Sequence, residues 1–240
     1  MSKVYQNPPI VEAICEIAFK DVLDPTAPGL FYTKAQQKYP GLQHIQQVRF
    51  INGNLPTQVM TSQFISLDGR TVIQLGQALS IHQLSPYSSW PQFLANILEM
   101  YSWFLEISPN PVISRVSLRY LNRLPIKGST LETLASHVTF IPQFPISRIE
   151  EIKNMVMTIE AQAGDDLQTI SFGKESPLQN EGSMVEGINF LLDLSCSRPI
   201  AELGSPILES WLSQAHNKIE DSFEQSLTMA FKEVFNEGGE

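Results

Sequence analysis

From Ser114 to Leu124 the chain alternates residue by residue. Val116, Leu118, Tyr120 and Leu124 fall on one side of an extended backbone, and Arg115, Ser117, Arg119 and Arg123 on the other. Side chains of a strand project to opposite faces with a period of two, so this stretch has one face for a core and one for water. Such a strand is not stable alone: its apolar face needs a second layer and its edges need neighbours. The same holds for Ile10 to Phe19, where Val11, Ala13, Cys15, Ile17 and Phe19 alternate with Glu12, Ile14, Glu16 and Ala18.

Between and after these two strands the same order of elements is written twice. Residues 28–39 predict a short helix with Leu30, Phe31 and Ala35 inward, stopped by Pro40-Gly41, followed by a polar loop to about 56. Strands are predicted near 57–67, 71–76 and 78–84, the first two joined through Asp68-Gly69 in a type I′ turn, and then a helix over 91–106. After the 112–124 strand come a helix at 130–138, a hairpin of 154–163 with 167–173 around Gly164, a strand at 188–197 and a helix over 206–236. Each half reads strand, short helix, three strands, long helix, which predicts a first repeat over 1–109 and a second over 110–240, packed as one unit. The expected class is α+β, a curved antiparallel sheet with the helices on one face. In element order this resembles the saddle of the TATA-binding-protein fold, which implies nothing about function.

Hydrophobic residues make up 42% of the 240 and charged residues 17%, the balance of a globular protein. The net charge of −9 disfavours nucleic acid and anionic membrane as general partners. The acidity lies late: residues 1–136 carry 10 Lys/Arg against 8 Asp/Glu, and 137–240 carry 6 against 17. No stretch approaches the roughly 18 apolar residues of a membrane span and no signal-peptide core is visible, so the expected location is cytoplasmic. Cys15 and Cys196 sit in apolar strand-like runs and are expected to be free thiols acting as small hydrophobes.

Three arginines on one strand face are too many for a core, and two readings of them are open. Arg115, Arg119 and Arg123 could grip a phosphate or carboxylate on the open face. Alternatively, if the 10–19 and 112–124 strands are neighbours, Glu12 and Glu16 oppose them in a cross-strand ion-pair ladder. A second feature is Ser85-Pro-Tyr-Ser-Ser-Trp-Pro-Gln-Phe93, where Ser89 suits a helix cap and Pro91 a first turn. Tyr87 and Trp90 are there either interface anchors or packing between helix and sheet. The four histidines have no partner at metal spacing, and no nucleophile elbow, phosphate loop or dinucleotide turn occurs, so no cofactor, metal or catalytic residue is assigned. The acidic pairs Glu150-Glu151, Asp165-Asp166 and Glu220-Asp221 read as solvated surface.

Asn7-Pro-Pro-Ile-Val-Glu-Ala-Ile-Cys-Glu-Ile-Ala-Phe19, Pro86-Tyr87 with Trp90 and Phe93, and Arg115-Val-Ser-Leu-Arg-Tyr-Leu-Asn-Arg123 together resemble a sporadically distributed family of uncharacterised bacterial and archaeal proteins. That resemblance implies no established activity or cofactor. A patchy distribution would suit a mobile-element or antiviral defence system. The leading expectation is therefore a non-enzymatic interaction protein that binds a protein partner or itself, without a membrane. The alternatives are a nucleic-acid or nucleotide binder using the arginine stripe, and an enzyme whose site no motif marks.

Overall fold

The computed structural model describes residues 5–49, 57–128, 130–142, 150–175, 188–200 and 205–236. The first half runs β1 (Ile10–Phe19), α1 (Ala27–Ala35), β2 (Gly41–Arg49), β3 (Thr57–Ile65), β4 (Thr71–Leu75), β5 (Ala78–Leu84) and α2 (Trp90–Ile107). The second runs β6 (Ile113–Ile126), α3 (Leu131–His137), β7 (Val156–Ala163), β8 (Asp166–Lys174), β9 (Ile188–Arg198), α4 (Ser205–Ser226) and α5 (Met229–Lys232). The strands form one open antiparallel sheet in the order β2-β3-β4-β5-β1-β6-β9-β8-β7, with the helices packed on one side. This is an α+β fold, symmetrical in strand order about the β1–β6 junction, with β2 added at one edge.

Alternation does the work that the sequence assigned to it. Ala13, Cys15 and Ile17 of β1 and Val116, Leu118, Tyr120 and Leu124 of β6 are buried beneath α2 and α4, while Arg115, Arg119 and Arg123 face away. Full burial of a large apolar side chain stabilises by about 1.5–3 kcal/mol, so the paired strands and two long helices supply most of the driving force. Cys15 and Cys196 each lie beside Leu118 in register, on opposite flanks of β6. They are two strand spacings apart, roughly 10 Å, beyond the reach of a disulfide, and both are free and buried.

Five expectations are corrected. Leu30 of α1, expected inward, is exposed, whereas Phe31 and Ala35 are buried. The stretch read as a polar loop to 56 is the edge strand β2 over Gly41–Arg49; residues 50–56 lie outside the described part. The turn after β3 is not type I′, since that requires positive φ at both central residues, whereas only Gly69 has it (φ 70) and Gly69 N–H donates to Ser66 O at 2.9 Å. The last helix does not run to 236. α4 ends at Ser226, Leu227 bridges to Val138, and Thr228 caps α5 by accepting from Phe231 N at 3.3 Å. Finally, Asp166 is not solvated: it is fully buried at the start of β8, where Arg198 Nε (2.6 Å), Lys218 Nζ (2.5 Å) and Trp211 Nε1 (3.0 Å) all donate to it. One buried carboxylate thus ties β8 and β9 to α4.

Candidate functional site

The residues singled out in the sequence separate onto the two faces of the sheet. On the open face β1 and β6 are neighbours, and the register sets Glu16 opposite Ser117 and Glu12 opposite Leu121, so the glutamates lie diagonal to the arginines. Arg115 Nη2 reaches Glu16 Oε1 at 2.7 Å. Arg119 does not take Glu12. It grips Asp193 of β9 with two nitrogens, at 2.8 and 2.5 Å. Arg123 grips Glu175 in the same forked way, at 2.9 and 2.6 Å.

Glu12 turns instead to His82 of β5, with Nδ1 at 2.7 Å, a hydrogen bond that holds its carboxyl below the usual range against the opposing effect of burial. His82 Nε2 is buried with no partner among the described residues. The ladder is therefore four strands wide: its three arginines meet Glu16, Asp193 and Glu175, and Glu12 meets His82. Such half-exposed pairs contribute about 0–1 kcal/mol each.

Behind the sheet, where the two halves meet, lies a half-open cleft of about 460 Å³. Its floor is Tyr120 and Asn122 of β6 with Leu194 of β9; one wall is the Tyr87–Pro91 turn into α2, another is α4 from His216 to Glu224, and the N-terminal segment crosses over at Tyr5, Pro8 and Pro9. Tyr87 and Trp90 come here, together with Tyr120 and Asn122, and away from the arginines. The turn is fixed by Ser89, whose Oγ accepts from Gln92 N at 3.4 Å, and by Pro91 in the first turn of α2. The crossing segment is held by Asn7 N donating to Phe235 O (2.9 Å), by Tyr5 OH donating to Glu224 Oε1 (2.5 Å), and by Tyr5 edge-on to Phe223 and Phe235.

Inside, Trp90 stacks flat on His216, with ring centres 4.2 Å apart and 6° between planes. Tyr87, Tyr120 and His216 form a chain, hydroxyl to hydroxyl at 3.3 Å and Tyr120 hydroxyl to His216 Nδ1 at 3.2 Å. Burial pushes Tyr87 up to about 12, raises Tyr120 well above the usual tyrosine range, and lowers His216 below the usual histidine range. All three groups are neutral near pH 7, able to give or accept a hydrogen bond. Asn122 is spent on the sheet, donating to Leu192 O at 3.1 Å.

His216 and Glu220 were not found from the sequence. The signal was present in the row 216, 220, 224, which runs one residue beside the apolar row Ala215, Ile219, Phe223 on the same helix face. Among the described residues no cluster of three or more His, Cys, Asp or Glu could hold a metal, and no helix is long and apolar enough to cross a membrane. The stretch 174–187, expected from its length to be a recognition loop, lies outside the described residues beyond Glu175. Neither a known protein family nor a curated protein matches this chain.

Proposed function

We propose that the chain is a non-enzymatic binding protein that receives part of a protein partner in the cleft between its halves. The observation that carries this reading is the cleft itself: concave, half open, walled by aromatic and proline side chains, with a few convergent polar groups. Large aromatics of this kind are the usual anchors of protein interfaces. The neutralised ladder counts against the nucleic-acid alternative, because each of its three arginines is already paired with a carboxylate among the described residues and offers phosphate no net attraction.

The test compares affinity purification from the native host using the wild-type chain, Trp90→Ala and Arg119→Gln. A specific protein partner is expected with the wild type and Arg119→Gln, falling at least about tenfold with Trp90→Ala, since an interface anchor is worth 2 kcal/mol or more. Loss with Arg119→Gln alone, or recovery of nucleic acid in place of protein, would contradict the proposal. In a companion assay, labelled oligonucleotides are expected to show no binding even at low salt.

A further inference from the structure

We infer that the edge strand β7 is a self-association site, which pairs antiparallel with β7 of a second copy of this chain. β7 is the last strand in the sheet order, and all its residues except Met157 and Ala163 are exposed. An open edge is a template for another strand, and proteins commonly guard it with lysine, proline, a bulge or shortness. Val156–Ala163 has none of these. It is eight residues long, its pairing with β8 is unbroken, and Glu160 is its one charged residue.

The ladder with β8 tells which backbone groups face out. Lys174 N donates to Met155 O at 2.9 Å, so in this register Met157, Ile159, Ala161 and Ala163 also turn their N–H and C=O groups to β8. Val156, Thr158, Glu160 and Gln162 turn theirs outward, where they meet no strand among the described residues. One self-pairing uses all of them. With Ile159 opposite its own counterpart, Val156 faces Gln162 and Thr158 faces Glu160 across the twofold axis, in four pairs of two bonds each. Sliding one strand by two residues loses a pair, and in one direction sets Glu160 against Glu160. Apolar contact favours the same register: Ile159 is 56% exposed, on the sheet face that carries Ile170 and Phe172, and it meets its counterpart in a close pair flanked by Met157 against Ala161. The axis is perpendicular to the sheet, so both helix layers, and with them both clefts, face the same side.

Sedimentation velocity of the purified full chain, from micromolar to submillimolar concentration, is expected to show a concentration-dependent dimer. Ile159→Lys sets two like charges at the axis and is expected to weaken that dimer at least about tenfold, with little change in melting temperature because the side chain is exposed. Ile159→Cys tests the register against a quiet background, since Cys15 and Cys196 are buried. Mild oxidation is expected to link two copies of it, because directly opposed Cα atoms of such a pair lie about 4.5 Å apart. Ala161→Cys is expected to stay unlinked, its counterpart lying four residues along the opposing strand, roughly 13 Å away. A chain that stays monomeric throughout, a dimer indifferent to Ile159→Lys, or oxidation that links Ala161→Cys as readily as Ile159→Cys would each overturn the inference. Should Ile159→Lys melt at a much lower temperature than wild type, the two cysteine variants alone decide.

Discussion

Asp166→Ala is expected to lower the unfolding free energy by about 3–5 kcal/mol, a fall in melting temperature on the order of 10 °C for a chain of this size. The carboxylate is fully buried, and its removal strips Arg198, Lys218 and Trp211 of their shared acceptor at once. Asp166→Asn keeps the shape but not the charge, so most of the loss is expected to remain. The adjacent, exposed Asp165 is the control: Asp165→Ala should stay within about 0.5 kcal/mol of wild type. Urea denaturation of the three variants checks this.

The pH dependence has a definite sign. Burial alone would raise the Asp166 pKa, but the hydrogen bonds from Arg198, Lys218 and Trp211 outweigh it and hold it at about 2 against an ordinary 3.8. A carboxylate with a depressed folded-state pKa contributes stability that is present above about 3.8 and is lost as pH falls toward about 2. Wild type should therefore lose stability over that window more steeply than Asp166→Asn.

Leu118→Ala is expected to cost about 2–5 kcal/mol and to weaken both halves together. Leu118 is fully buried on β6 between Cys15 and Cys196, at the strand where the two halves join. Trp103 on α2 and Trp211 on α4 report from opposite halves. Fluorescence and far-ultraviolet circular dichroism should give one coincident transition at a lower denaturant midpoint. Two resolved transitions would mean that the shared sheet does not couple the halves.

What was legible in the sequence follows from how local each determinant is. Period-two alternation located β1 and β6, turn signals helped to place the other strands except β2, and the repeated element order suggested the β1–β6 partnership. β2 was missed because an edge strand needs little apolar content: Gln43, His44 and Gln46 are exposed, and Leu42 is partly so. The break at Ser226 was hidden because Leu227, Phe231 and Phe235 keep helical spacing through it and are all buried. Only Thr228, as a cap, marked the new start. Register, unlike pairing, could not be read, so Glu16 meets Arg115 as the alternation suggested while Arg119 and Arg123 find Asp193 and Glu175. Asp166 was taken for a turn residue because its partners lie 32 to 52 residues away. The cleft was half visible: Tyr87 and Trp90 stood out by type, but the α4 residues that complete it are brought there by tertiary packing alone.

The most direct measurement is hydroxyl-radical footprinting of the chain with and without the partner recovered on it. Trp90, Tyr87 and Phe223 line the cleft, whereas Ile14, Leu121 and Leu191 lie on the opposite face among the ion pairs. Binding is expected to protect the first three side chains and leave the second three unchanged. Protection of Ile14, Leu121 and Leu191 with Trp90 still reactive would place recognition on the open face and contradict the cleft.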